Sequence, residues 1–518
     1  MSPDQLVTRR QALAGMGTIA GAGLLVACGS TSSSDTERAP DGGLPRRGGT
    51  LRVGALGKRS AVERDPHNVQ ANDSDYLISC LVYEALTVPG PKPVTARLMA
   101  SWEPSADLRR WRFKIAEGAA FHDGSPVTAD DVVWSLRRLR GLPNGDFRLP
   151  GIDAGGIRKA SQRSIVIATD RPNAEVPMAV RLQSFVFKEG ERRPGRGPGS
   201  GPFKLVSYDD GDAMLARHPH WHGGTVPLDR IEVRLFTDGG ALTTAVLGGQ
   251  VDLATNVGPV AARLAARDED LRIVRRPDDT AMPIVMRVAD GPFADPRVRE
   301  AVRLTVDRPK LVRGALNGYG TVANDILGTG DPLYLGDELS QRGRDLDAAR
   351  ALLRDASFDL SRSYELFTAA DTPGLLQSAT LFATQMKDVG MKVKVVRQDS
   401  AAFYDDTWLK APLYTIYWGT NDSVLFFVGR TMTSNAVHNE TGLKDAQIDR
   451  LYRRAIGDPD DKRRAEAVRE LQRLQHEQGG YVVWGMADGV DIARKTVLGL
   501  PRTGGYGRMF IEKSGFAA

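Results

Sequence analysis

Four consecutive residues, His122-Asp123-Gly124-Ser125, carry the groups of a hydrolytic site: an imidazole, a carboxylate and a hydroxyl. Two further carboxylates follow at Asp130 and Asp131. A serine becomes a nucleophile only when a base and its orienting acid converge on it in space. The order here suits a backbone role better. Asp and Gly accept a tight turn. Thr128 followed by Asp131 is the pattern of a capped helix start, with Asp where Glu is usual, and two acids in a first turn complement the helix dipole. We therefore expect a strand from Trp111 to Ile115, a turn, and a capped helix running to Arg138, with no catalysis.

The cluster His218-Pro-His220-Trp221-His222 could share a divalent ion, since imidazoles close in sequence can converge on one. The competing reading is a polar loop between strands ending at Ala216 and starting at Ile231, and it is the one we adopt. His476-Glu477 is followed by Gln-Gly-Gly, so no zinc-protease helix motif forms. Residues 192–202 lack the Gly-Lys-Ser/Thr ending of a phosphate loop, and Gly199-Ser200-Gly201 lacks the spacing of a nucleophile elbow. No cysteine is placed as a nucleophile. The expectation is a chain that is not an enzyme and needs neither cofactor nor metal.

One segment has the composition of a ligand-cleft wall, which needs aromatic surface and a few fixed polar groups. It is Tyr414-Thr-Ile-Tyr417-Trp418-Gly419-Thr420-Asn421-Asp422. The alternative is a strand packed in a core. Further candidates to line a cleft are Asp65, His67 and Asn68 after the first strand, Met282, Tyr404 and Trp484; each has a core or loop alternative.

The elements that must position these residues follow from hydrophobic period and end signals. Thr50–Leu56 alternates as a strand, and 75–86 has helical spacing. Beyond residue 203, strands at 203–208, 231–236, 251–254, 271–275 and 281–288 alternate with short helices such as 240–247. After Asp290 helices dominate: 296–305, one opened by Pro309 and stopped at Asn317-Gly318, 345–355, 375–389 stopped by Gly390, 445–456 and 460–477. Strands are expected at 391–397 and 481–486. The class is α/β.

The chain has 518 residues, 41% hydrophobic and 26% charged, with a net charge of +5. That is enough for two or three domains. The arginines are scattered among acids, so nucleic acid is not an expected partner. Residues 1–27 form a signal peptide: Arg9-Arg10, an apolar run from Ala12 that is too short to span a membrane, then Leu25-Val26-Ala27-Cys28. Thr8-Arg9-Arg10-Gln11-Ala12-Leu13 resembles a twin-arginine export signal, with Ala12 where a large apolar residue is usual. Leu-Val-Ala-Cys resembles a lipobox, which makes Cys28 the expected lipidation site and mature N-terminus. Residues 28–49 would be a tether with a reach of roughly 25 Å. The other cysteine of the two, Cys80, then has no disulfide partner and reads as a small buried hydrophobe.

Several motifs occur in a fixed order: Leu81-Val-Tyr-Glu-Ala-Leu-Thr87, Ala96-Arg-Leu-Met-Ala-Ser-Trp-Glu-Pro-Ser-Ala-Asp107, the 111–136 stretch, Gly199-Ser-Gly-Pro-Phe-Lys-Leu205, His220-Trp-His-Gly-Gly-Thr-Val-Pro-Leu-Asp-Arg230, Leu247-Gly-Gly-Gln-Val-Asp252, Phe293-Ala-Asp-Pro-Arg-Val-Arg-Glu-Ala301 and Val306-Asp-Arg308. Each is weak alone. Together they resemble the family 5 extracellular solute-binding proteins of ABC importers, the dipeptide, oligopeptide and nickel binders, over nearly all of 48–518. The resemblance implies a periplasmic-binding-protein-like type II fold: two lobes around a cleft, with a third subdomain inserted in the first lobe. Lobe I would take 48–78, 199–285 and 487–518, the insert 79–198, and lobe II 286–486, with hinges near 286 and 486.

It also implies a function: an extracytoplasmic receptor, anchored to the cell membrane through Cys28 and facing the periplasmic space or its equivalent. It would be a monomer that delivers a small solute, foremost an oligopeptide, to the membrane subunits of an ABC permease. Peptide-binding members carry an Asp three residues after the Trp, paired with the peptide's ammonium. Here that position is Asn421, with Asp422 one residue later and, in an extended segment, pointing the other way. A charge-assisted bond is worth roughly 1.5–3 kcal/mol against about 1 for a neutral one, so the change weakens the case for a free peptide N-terminus. A metal chelate, an opine or a sugar is the alternative ligand, and an extracytoplasmic hydrolase the rival class. The implied ligand set is Trp418, Asn421, Asp422, Tyr417, Tyr404, Trp484, Met282, His67 and Asn68.

Overall fold

The structure, a computed structural model, describes residues 43–69, 72–90, 92–143, 145–181, 183–369, 373–420 and 422–518. Cys28, the signal peptide, most of the tether and Asn421 lie outside the described residues.

Two long strands, Leu271–Met286 and Tyr481–Arg494, pair antiparallel along most of their length. On one flank the sheet continues through Leu253–Ala254, Thr50–Leu56, Arg230–Phe236, Asp212–Arg217 and Phe203–Asp209. On the other it continues through Leu413–Thr415, Ser363–Ala369 and Lys392–Gln398. The sequence predicts two strands at 271–275 and 281–288; the chain instead makes one strand with register breaks between Arg276 and Thr280 and between Ala281 and Pro283. Pro277, which has no N–H to offer a ladder, sits in the first break, and Asp278 takes a positive φ of 55°. Such an irregularity bends and twists a strand without ending it. Likewise the strand expected at 481–486 runs on through Ala487-Asp488-Gly489 to Arg494.

The core changes at this bend. Val274 and Ala493 belong to a first-lobe core with Leu51, Val53, Leu77 and Ile231. Ala281 and Met486 belong to a second-lobe core with Phe293, Leu311, Phe382 and Tyr414. Along the first strand the change of core partners falls between Val274 and Ala281.

The insert has its own core and sheet, with strands in the order Met99–Pro104, Arg110–Ile115, Ser164–Ala168, Ile157–Ser161. Phe113, Ile115 and Ile165 pack there against Val132, Leu136 and Leu139 of the helix Ala129–Gly141. The capping box is present: Thr128 accepts from the Asp131 N–H, and Asp131 accepts from the Thr128 N–H. His122-Asp123-Gly124-Ser125 is a turn in which Asp123 accepts from the N–H and hydroxyl of Ser125 at 3.1 and 2.8 Å, with Gly124 at φ 87°. The His122 N–H donates to the Gly199 carbonyl at 2.8 Å. A Cβ on Gly199 would stand 1.9 Å from the Val82 carbonyl oxygen, so the Gly199-Ser200-Gly201 motif exists to let two backbones touch. Cys80 is buried and free, its thiol pushed up to about 12 by burial.

The second lobe is helical around its part of the sheet. Asp295, Asp307, Asp345, Asp445 and Asp460 each cap a helix N-terminus. Arginines of the 293–308 motif run inward. Arg299 donates to the carbonyls of Phe293, Ala294 and Gln478, and Arg303 to those of Tyr481, Glu477 and Gly479. Arg308 grips the fully buried Asp325 with two bonds of 2.9 and 2.7 Å, and Arg342 adds a third at 3.0 Å. Burial alone would raise the Asp325 carboxyl; Arg308, Arg303 and Arg342 bring it below its ordinary value. Its stabilisation is therefore present above the unfolded carboxylate pKa and fades as pH falls toward the depressed folded value. Arg308→Met should cost about 3–5 kcal/mol in urea unfolding at pH 7, because it strips a buried carboxylate of its bidentate partner. A loss under about 1 kcal/mol would show that Arg342 and Arg303 suffice.

Candidate functional site

The segment 413–422 divides in two. Leu413–Thr415 pairs with Met286–Ile284, and Tyr414 and Ile416 are buried, as a core strand requires. Pairing then lapses and resumes with Trp418–Gly419 opposite Ala281 and Thr280, alongside the hinge bulge. The lapse turns Tyr417 outward, 41% exposed, and leaves Trp418 half-buried. Tyr414 and Ile416 are thus core residues, while Tyr417 and Trp418 stand at the edge of that core.

Trp418 does not stand alone. Its Nε1–H donates to Glu440 at 3.2 Å, the Nε1–H of Trp408 donates to the same carboxylate at 2.8 Å, and the Tyr481 hydroxyl donates at 2.7 Å. Glu440 is fully buried. Its three side-chain partners are neutral donors, and burial raises it from 4.5 to about 6. Tyr404, on the irregular turn Phe403–Thr407, sets its ring edge-on to Trp408 with centroids 5.5 Å apart. The His438 ring lies 4.6 Å from Trp408, 6.1 Å from Trp418 and 5.0 Å from Phe147 of the insert. Burial lowers His438 to about 4, so it is neutral near pH 7. Tyr404, Trp408, Trp418 and His438 form a continuous aromatic wall on the second lobe, mounted beside the hinge.

Polar ties cross from this lobe to the insert. Asp422 pairs with Arg181, which also donates to the Pro93 carbonyl at 2.7 Å. Ser423 caps the helix Val424–Thr431 and donates its hydroxyl to Glu175. Burial, together with nearby Asp331 and Asp422, pushes Glu175 up to about 7. Asp422 is thus engaged by the insert, and a role toward a solute would mean sharing that guanidinium.

Of the other residues expected at the cleft, Trp484, Met282 and His67 are buried and Asn68 is half-buried. Trp484 and Met282 are each 1% exposed and pack in the second-lobe core. Both lie on central strands covered on two faces, where alternation no longer marks an outward side. His67 is fully buried between the first lobe and the insert. Arg138 donates to its Nδ1 at 2.8 Å, so Nε2–H donates to the Phe185 carbonyl at 2.8 Å. Burial lowers His67 to about 3, fixing it as a neutral joint. Asn68 reaches only Asp65, at 3.4 Å, itself paired with Arg138. In the histidine loop, His218 faces the Gly201 carbonyl, His222 contacts buried Glu84 at 3.0 Å, and His220 is exposed. Among the described residues no group of three His, Cys, Asp or Glu side chains is placed to hold a metal. Trp408, His438 and Glu440 carried no sequence signal beyond their types; only Tyr404 and Trp408, four apart, hint at a shared face.

Because the folded Glu440 value lies above 4.5, the native state holds the proton longer than the unfolded chain. Glu440 therefore costs stability as pH rises from about 4.5 through about 6. Protonation also takes one acceptor from the indoles. Tryptophan fluorescence should titrate between pH 5 and 7, and Glu440→Gln should abolish that transition. A wild-type signal flat over this range would separate Glu440 from the indoles.

Residues 93–437 match the family described as bacterial extracellular solute-binding proteins, family 5 Middle. The chain is 21% identical over 462 residues to the probable D,D-dipeptide-binding periplasmic protein DdpA of Escherichia coli K12, covering 82% of this chain and 87% of that one. It superposes on the ABC transporter substrate-binding protein CtaP of Listeria monocytogenes with a TM-score of 0.80 at 18% identity, covering 91% and 100% of the two chains. It superposes on the binding protein AgaA of A. tumefacien R10, in complex with agropinic acid, with a TM-score of 0.77 at 21% identity, covering 91% and 99%. The fold is that of the type II periplasmic binding proteins, and this chain belongs to the family 5 bacterial extracellular solute-binding proteins.

Proposed function

We propose that this protein is the membrane-anchored receptor of an ABC importer, closing its two lobes on a peptide or peptide-like solute and presenting the closed form to the permease. The observation that carries this reading is the aromatic wall of Tyr404, Trp408, Trp418 and His438 beside a bulged, two-stranded hinge. Hinge closure around a cleft is how such lobes sequester ligands, and aromatic faces with few fixed polar groups are what solute clefts use. Tyr417, Trp418 and Tyr404 are the proposed contacts from the earlier set, with Asn421 beside them in sequence. Among the described residues no helix is long and apolar enough to cross a membrane, and the lipid on Cys28 is the proposed anchor.

A second reading, an opine-like or otherwise carboxylate-rich solute, is favoured by one specific feature. On the wall segment the peptide-type Asp is replaced by Asn421, while Asp422 is engaged by Arg181. A structural neighbour is described in complex with agropinic acid.

Thermal-shift measurements with di- and tripeptides, opines and nickel–histidine would decide between these. The right ligand at 100 times its Kd stabilises by about 2.7 kcal/mol. Trp418→Ala should remove that shift while the apo protein still unfolds cooperatively; an unchanged affinity rejects the wall, and chemical turnover of a bound ligand rejects the receptor.

Anchoring is tested separately. Cys28→Ser should move the protein from the membrane fraction to the soluble one, and retention in membranes would refute lipidation at this residue.

A further inference from the structure

A cavity of about 440 Å³ lies where the insert meets the second lobe. Its lining includes Phe147 and Met178 of the insert, and Phe426, Arg430, Tyr452 and Ile456 of the second lobe; Tyr404, Trp408, Tyr417 and Trp418 take no part. Phe147 of the lining sets its ring 5.0 Å from that of His438, the nearest member of the aromatic wall in ring contact with it. Its volume is that of a small-molecule site rather than a packing defect.

The chamber's charge is uneven in a way that points to a ligand. Arg430 holds its guanidinium 3.6 Å from the centre of the Phe426 ring and 4.9 Å from that of Phe147, and donates to the Phe147 carbonyl at 2.9 Å. Among the described residues no carboxylate forms an ion pair with it, and its Nε is sealed from solvent without a partner. Burial lowers it to about 10. The lining carboxylates are committed elsewhere or weak as anions. Asp146 and Asp153 pair with Arg140, Asp170 is exposed at the rim, and Glu175 bonds Ser423 and is pushed up to about 7. Asp422 and Glu175 attract Arg430 from a distance but do not offset its burial; a cation removed from water without a paired carboxylate is costly, and a planar guanidinium is suited to grip one with two parallel bonds.

We propose that this chamber is a second binding site, distinct from the Trp418 wall, for a small carboxylate carrying an aromatic or branched apolar group, with the anion held by Arg430. The apolar group lies among Met178, Phe426 and Ile456. Because one wall belongs to the insert and the other to the second lobe, an occupant touches both bodies and favours the arrangement in which they meet.

The test uses the purified full chain and fluorine NMR with two probes of one shape and opposite charge, p-fluorophenylacetate and p-fluorophenethylamine. Saturable binding of the acid with little or none of the amine is expected. Arg430→Met should weaken the acid about tenfold or more. Should Arg430→Met unfold, Val437→Trp decides: Val437 lines the chamber and is 57% exposed, so a large ring there obstructs entry while Arg430 stays. Loss of the acid signal in Val437→Trp supports the site. No binding of the acid, equal binding of the amine, or undiminished binding in the folded variants overturns it.

Discussion

The constraint on which the rest depends is the ladder between Leu271–Met286 and Tyr481–Arg494. A hinge inside a sheet has to bend without stranding buried N–H and C=O groups, each of which costs free energy if left unpaired. The chain meets this with its bulge. Pro277 brings no N–H to strand, and the Asp278 N–H donates to the Asp488 carboxylate at 3.2 Å. The Asp279 carbonyl accepts from the Thr420 N–H at 3.1 Å, and its side chain accepts from the Gly505 N–H. Opposite stands Gly489, where a Cβ would lie 2.3 Å from Asp279 and 2.7 Å from the Arg276 guanidinium. The hinge thus exchanges strand pairing for side-chain bonds to segments of both lobes, and it fixes where Thr420, and with it Trp418, must lie.

The interlobe ties have a different energetic character. Arg181–Asp422, Ser423–Glu175, Arg430 on the Phe147 carbonyl, and the Ala174 N–H on the Ile456 carbonyl at 2.7 Å all join the insert to the second lobe. When the bodies part, water replaces each of these bonds, so a single neutral tie contributes about 0.5–1.5 kcal/mol net. On the proposed function, a handful of such terms, set against desolvation of Arg181 and Arg430, would leave open and closed forms within reach of a ligand's differential affinity. A large dry interface would not, because it would lock the chain shut.

Local structure was readable from the sequence wherever one short-range rule governs. Thr128 and Asp131 spelled out a cap, Asn317-Gly318 ended a helix with Asn317 left-handed at φ 51°, and Gly390 ended another at φ 82°. The two long strands outrun their expected ends because Pro277 falls in a bulge that carries the strand past it, and Gly489 is held in register opposite Arg276 by the ladder. Trp484 and Met282 are buried in the second-lobe core for a related reason: strand alternation names a face only when one face is wet. The partners of His67 are not legible locally, because Arg138 and Phe185 arrive from the insert. Glu440 and Trp408 stand 32 residues apart, and no local rule joins them.

That pairing decides what the wall can recognise. An indole has one hydrogen-bonding group, its N–H, and both wall tryptophans give theirs to Glu440. The rings are thereby fixed in place, and what they offer a solute is apolar and π surface only. His438 is neutral, so the wall adds no strong charge of its own. Selection on this side is by shape and stacking, which tolerates many side chains. Charge discrimination then has to come from beyond the wall, where Arg181 and Arg430 are buried at the seam with the insert. On the proposed function, a wall blind to charge beside a seam that holds Arg181 and Arg430 would let substitutions at a few seam residues change the class of solute without altering the scaffold.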